Sequence, residues 1–200
     1  MFRERVLGGK IVTIRAEMQV KDKRVASEVE VLNLIKKGNK EAYGIIVKNY
    51  MKNAYYIALG LVHNHQDALD LSQEAFIKAY RNLKRFDLRK PFFPWFYMIL
   101  RNLCLDHLKR NTPRLLPLED VEDSSGQPKK REIREALAKG LAQLPFDQRE
   151  VIVLRYFRQL SYQEMAEILD RPAGTIMSSL YYAKKRLKRI LAHYLGFDKD

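Results

Sequence analysis

Two hundred residues with 37 lysines and arginines against 24 aspartates and glutamates carry a formal net charge of +13, a balance that draws a chain to phosphate in a salt-dependent way. Aliphatic and aromatic types make up 46%, which excludes a chain too polar to build cores and leaves room for one large or two small domains. A single cysteine, Cys104, excludes an internal disulfide framework and suits a reducing cytoplasm, and no apolar stretch approaches the length needed to span a bilayer.

Residues 1–27 are polar, basic and weakly patterned, with Gly8-Gly9 and the run Lys21-Asp22-Lys23-Arg24. The longest apolar run there, Ile11 to Ile14, is interrupted by Thr13 and stopped by Arg15, so no signal peptide is expected. We read a basic N-terminal extension for which a nucleic-acid contact and no function at all both stay open, with Met18 as an alternative start. From Glu28 to Arg110 the pattern is almost continuously helical, broken at Lys37-Gly38-Asn39, at His63-Asn64-His65 and around Asp87 to Pro91. That predicts a compact four-helix domain over 28–112.

The pattern then dissolves into Pro113, Pro117, Ser124-Ser125-Gly126 and Pro128, with Glu119, Asp120, Glu122 and Asp123 between them, a flexible acidic linker over 113–131. Helical periodicity returns near Arg131, with Ile133, Leu137, Leu141 and Leu144 on one face. Pro145 marks a break, and Asp147 with Glu150 reads as a cap and its third-position partner ahead of Val151-Ile152-Val153-Leu154. A second small helical domain is expected over 132–195. Without strong strand alternation beyond the extension, and without an internal repeat, the fold class is all-α.

Within that second domain, Ser161 is placed to cap a helix and Glu164, three residues on, to reach back to it. Met165, Ala166, Ile168 and Leu169 form the buried side. The break from Asp170 to Gly174 holds an Asp that tolerates a left-handed turn, a Pro suited to a first helical turn and an Ala-Gly pair where two helices are expected to pack closely. A second helix from about Thr175, ending in Lys184-Lys185-Arg186-Leu187-Lys188-Arg189, completes the look of a helix-turn-helix whose second helix lies in the major groove of duplex DNA.

In the first domain, Asp70, Gln73 and Glu74 stand at i, i+3 and i+4 and form one polar helix face, while Leu69, Phe76, Tyr80 and Leu83 point inward. No His, metal-ligand cluster or glycine loop converges on them, so a solvated face outweighs a paired-carboxylate active site. The segment from Arg85 to Arg110 interleaves basic residues with aromatics, which suits a single-stranded nucleic-acid surface. Aromatics this dense also make good core, and on that reading Trp95 and Phe96 are buried. His63 and His65 with Asp67, or Cys104 with His107, are too sparse for a metal site; Cys104 reads as a core thiol and His107 as a surface imidazole.

Taken in order, Asp-Ala-x-Asp-Leu-x-Gln-Glu-x-Phe from Asp67, Phe-x-x-Trp from Phe92, Arg-Asn-x-Cys-x-Asp-x-x-Lys-Arg from Arg101, Leu-Pro-x-x-x-Arg-x-Val-x-x-Leu-Arg-Tyr from Leu144 and Ser-Tyr-x-Glu-Met-Ala-x-x-Leu from Ser161 resemble a bacterial sigma factor of the extracytoplasmic-function group (group IV of the sigma-70 superfamily). The likeness runs from about Glu28 to Leu191.

The resemblance implies region 2 in the first domain and region 4 in the second. Asp67, Asp70, Gln73 and Glu74 would dock on core RNA polymerase. Phe86, Arg89 and Lys90 in the loop, and Asn102, Asp106, His107, Lys109 and Arg110 on the following helix, would capture a flipped base and hold the melted minus-ten strand, repaying the cost of unstacking. Thr175, Ser178, Ser179, Tyr182, Lys184, Lys185 and Arg186 would read the minus-thirty-five duplex. Where the family carries basic residues in the recognition helix, this chain has Met177, Ser179 and Tyr182, which implies weaker phosphate anchoring there and a changed base preference. The partners implied are core RNA polymerase, promoter DNA and an anti-sigma factor, in the cytoplasm and without membrane insertion; no catalytic residue, metal or cofactor is implied. A stand-alone helix-turn-helix regulator is the alternative, and it would need no single-strand surface.

Overall fold

The computed structural model describes residues 28–110 and 128–194, and among the described residues every regular element is helical. Helix α1 covers 28–36. It is followed by α2 (Glu41–Val62), α3 (His65–Asn82), a 3-10 turn (Leu83–Arg85), α4 (Phe92–Arg110), α5 (Pro128–Ala142), α6 (Phe146–Phe157), α7 (Tyr162–Leu169) and α8 (Ala173–Tyr194). The all-α expectation holds. The N-terminal extension and most of the acidic linker lie outside the described residues, and α5 begins at Pro128, ahead of the Arg131 expected.

Each break has a local cause. Gly38 sits at φ 100°, a conformation that a Cβ disfavours, and Asn39 Oδ1 accepts the Ala42 amide at 3.0 Å to start α2. His63, at φ 58°, ends α2, and Asn64 Oδ1 accepts the Asp67 amide at 2.9 Å to start α3.

The chain divides into two compact units. One joins the described residues up to Asn49 with Tyr80–Phe92 and encloses Leu32, Ile35, Ala42, Ile46, Leu83, Phe86 and Phe92. The other joins Tyr50–Ala79 with the described residues from Phe93 onward. Its interior holds Ile57, Leu61, Phe76, Phe96, Leu100, Val151, Leu154, Met165, Ile176 and Leu180. There α6, α7 and α5 all pack on α8.

Two glycines allow close approach within this second unit. A Cβ on Gly60 of α2 would lie 2.7 Å from Val153 Cγ2, and one on Gly140 of α5 would lie 2.8 Å from Leu187 Cδ1. Gly174 has nothing within 4 Å of its Cβ position, so the close helix packing expected at Ala173-Gly174 is absent. The turn is held instead by the left-handed Asp170 (φ 51°) and by the Pro172 carbonyl, which accepts the amides of Thr175 and Ile176 at 2.9 and 3.1 Å.

The expected cap of α6 is also corrected. Pro145 occupies the N-cap with no side-chain bond, and its carbonyl accepts the amides of Gln148 and Arg149 at 3.0 Å each. Glu150 is fully buried and bonded to α4, where a guanidinium and a hydroxyl outcompete a single backbone N–H.

Candidate nucleic-acid interface

The helix-turn-helix forms as its sequence predicts. Ser161 Oγ accepts the Glu164 amide at 3.2 Å and Glu164 Oε2 accepts the Ser161 amide at 2.8 Å, a reciprocal capping box that fixes where α7 starts. Met165 is fully buried beneath it, and Ile176, Leu180 and Ala183 form the inward stripe of α8. Thr175, Met177, Ser178, Tyr181 and Tyr182 are exposed on the first turns, and Lys184, Lys185, Arg186, Lys188 and Arg189 on the later ones. Ser179 is half-buried. Tyr181 is as exposed as Tyr182 and Met177 nearly so; their helical spacing from Ile176 and Leu180 is the signal that placed them outward.

On α3 the buried face is Ala68, Leu71, Ser72, Ala75, Phe76 and Ala79. Asp70, Gln73 and Glu74 are exposed opposite it, with Gln66 Nε2 donating to Asp70 at 3.1 Å and Lys78 paired with Glu74 at 3.0 Å. Asp67 is half-buried, its carboxylate 3.1 Å from Nε2 of the half-buried His107. Two residues assigned to different partners are thus bonded to each other. Tyr80, expected inward, is partly exposed, with its ring 4.8 Å from that of Tyr43.

In the loop before α4, Phe86 is buried at 4% exposure. Its ring meets Phe92 edge-on at 6.0 Å and its carbonyl accepts Lys36 Nζ. It supports the loop from beneath and offers no ring to a base. Asp87 Oδ1 accepts the Arg89 amide at 3.0 Å, and its carboxylate receives the Arg89 guanidinium bidentately, Nε at 3.0 Å and Nη2 at 2.9 Å. That hydrogen bonding holds the Asp87 carboxyl down to about 2. Arg89 and Lys90 are exposed.

Along α4, Asn102, Asp106, Lys109 and Arg110 are exposed at i, i+4, i+7 and i+8 and so share one face. Phe96 and Cys104 are buried, with burial pushing the Cys104 thiol up to about 12, while Trp95 is half-buried. Among the described residues no group of three His, Cys, Asp or Glu side chains comes together as a metal site. His65 Nδ1 lies 2.6 Å from the Tyr55 hydroxyl. The His63 imidazole is lowered to about 3, by burial first and by Arg149 second.

Sequence reasoning missed a buried polar cluster linking α4 to α6. Tyr97 Oη donates to Glu150 Oε1 at 2.6 Å, and the Arg101 guanidinium pairs with the same carboxylate. Burial and the adjacent Glu150 carboxylate raise the Tyr97 hydroxyl well above its ordinary value, so it stays a donor. Next to Glu150, the buried Arg149 donates to the carbonyls of Leu61 and Leu144, the latter at 3.0 Å. The Arg158 guanidinium lies over the Phe93 ring at 4.0 Å.

A capped helix-turn-helix behind an α-helical segment with an exposed acidic and amide face defines a DNA-binding class of helical protein. The family models resolve it further: Sigma-70 region 2 matches residues 46–114 and Sigma-70, region 4 matches 134–187. Over 173 residues the chain is 30% identical to the ECF RNA polymerase sigma factor SigW of Bacillus subtilis, covering 78% of this chain and 92% of that one. It is 31% identical over 170 residues to the ECF RNA polymerase sigma-E factor of Escherichia coli K12, covering 76% and 88%. The fold is shared with CnrH, solved in complex with the cytosolic domain of CnrY, at a TM-score of 0.66, 23% identity and coverage of 86% of this chain and 98% of that one. The chain belongs to the ECF sigma factors of RNA polymerase. It is a transcription initiation factor, and the stand-alone regulator is set aside.

Proposed function

We propose that the two matched regions divide the work of initiation as follows. In region 2, Asp70, Gln73 and Glu74 on α3 dock on core polymerase, with Asp67 set in place by His107. Arg89 and Lys90 in the loop, and Asn102, Asp106, Lys109 and Arg110 on α4, hold the melted minus-ten strand through backbone charge and base edges. Phe86 acts by shaping its loop. In region 4, α8 enters the major groove of the minus-thirty-five duplex. The chain does this in the cytoplasm and supplies no catalysis of its own, phosphoryl chemistry being the polymerase's.

The observation that carries the polymerase contact is the exposure of Asp70, Gln73 and Glu74 on a helix whose opposite face is fully buried. Size-exclusion chromatography with bacterial core polymerase tests it: wild type co-elutes, and the Asp70→Lys, Gln73→Ala double variant, folded by circular dichroism, does not. Co-elution of both would overturn the assignment. We also infer an anti-sigma partner. Support comes from RpoE of Bartonella quintana, solved with the anti-sigma factor NepR, which shares the fold at a TM-score of 0.57 and 22% identity over 78% of this chain and 98% of that one. A pull-down from cells that yields no small inhibitory protein under any growth condition would count against it.

A further inference from the structure

We propose that α8 selects its duplex through the C5-methyl groups of thymine, with Met177 and Tyr181 as the specificity-determining side chains. This rests on the reading of α8 as the major-groove helix. Met177 is 53% exposed and Tyr181 59%, although the core-facing positions beside them, Ile176 and Leu180, are already filled. Their apolar surface is therefore not surplus core; the Tyr181 ring meets that of Tyr182 edge-on at 5.3 Å, and with Met177 one turn earlier it extends an apolar strip that a groove can cover.

The hydrogen-bonding alternatives are few. From Pro172 to Ala183 the sequence has no charged residue, so the commonest base-specific contact, Arg or Lys to guanine, has no candidate on the first three turns. The Ser178 hydroxyl already donates to the Thr175 carbonyl at 3.0 Å. Beside the hydroxyls of Thr175, Tyr181 and Tyr182, what the face offers is apolar area, and the one apolar group on a base edge in the major groove is the thymine methyl.

The occupant is nucleic acid rather than protein because the exposed apolar half of the helix runs directly into exposed cations, Lys184, Lys185 and Arg186, which phosphates complement. Met177 and Tyr181 are four residues apart, about 6 Å along the axis, or about two base steps of roughly 3.4 Å. Side chains so close together reach neighbouring base pairs, so the preferred element should hold thymines near one another.

The full chain with core polymerase is used to select active promoters from a library randomised over the upstream duplex element, and deoxyuridine then replaces each selected thymine, removing the methyl and leaving the pairing edge intact. Losing one methyl contact should cut open-complex formation about fourfold, while deoxyuridine in the spacer changes nothing. Met177→Ala and Tyr181→Ala should each keep co-elution with core polymerase and abolish the deoxyuridine penalty at one position. Selected elements without thymine, or a penalty that persists in both variants, would overturn the proposal. If wild type fails to co-elute with core polymerase before any DNA is added, the underlying reading of the chain falls, which is a separate result.

Discussion

Removing Arg101 should strand a charge inside the second unit. The Glu150 side chain is fully buried, and its carboxylate is held by Arg101 and by the Tyr97 hydroxyl at 2.6 Å, with Arg171 Nη2 3.8 Å away. In Arg101→Met the carboxylate keeps one neutral donor and one distant guanidinium. Breaking a buried pair from one side costs about 3–5 kcal/mol. Arg101 retains 18% side-chain exposure, which puts the expectation at the lower end, about 3 kcal/mol. For a chain of this length that is about 6–12 °C in Tm. Scanning calorimetry of the full chain at neutral pH measures it, beside the double variant Arg101→Met, Glu150→Gln. The amide removes the second charge and keeps an oxygen to accept the Tyr97 hydroxyl, so the double variant should recover most of the loss. A single variant within about 1 °C of wild type would refute the buried-charge argument, and a double variant as unstable as the single one would assign the loss to packing instead.

Other perturbations follow from the same structure. His63 is lowered from 6.5 to about 3 in the fold, so between those values the unfolded chain binds the extra proton; its contribution is complete above pH 6.5, fades as pH falls towards 3 and amounts to at most about 5 kcal/mol. Urea midpoints between pH 4 and 8 should slope less in His63→Asn, which also tolerates the positive φ, and parallel slopes would exclude His63 as the source. Within helix α2, Gly60→Ala should destabilise by about 1–3 kcal/mol, because the new methyl meets Val153, whereas Gly44→Ala, with open space around it, should stabilise by about 0.5–1 kcal/mol; thermal melts with the same sign for both would contradict the packing described. Ser161→Ala should cost about 1 kcal/mol by opening the capping box, read from the denaturant midpoint.

What the sequence made legible was local. Ser161 and Glu164 lie three residues apart and Asp170 sits in its own turn, so capping and turn chemistry placed α7 and the turn after it, and the period of Ile176, Leu180 and Ala183 set which face of α8 is outward. The same logic separated Asp70, Gln73 and Glu74 from the buried side of α3. Illegible were contacts that depend on which helix lies opposite. Glu150 reads as an N-terminal capping residue until Arg101, 49 positions earlier, is known to face it. Phe86 sits among cations, where stacking on a base and packing in a core give the same residue pattern; only the position of Phe92 decides between them. Gly60 and Gly174 are equally small in sequence, and the partner helix alone tells which is crowded.

The Arg149 guanidinium reaches from α6 to the carbonyl of Leu61 near the end of α2, so a residue inside the stretch matched by region 4 completes the hydrogen bonding of one matched by region 2. Hydrogen bonds therefore cross the boundaries by which such chains are compared. A chimera that exchanges the C-terminal half keeps them only where the incoming half supplies a carboxylate for Tyr97 and Arg101 and an arginine for the Leu61 carbonyl. A graft that respects only the module edges would otherwise cut through three bonded groups.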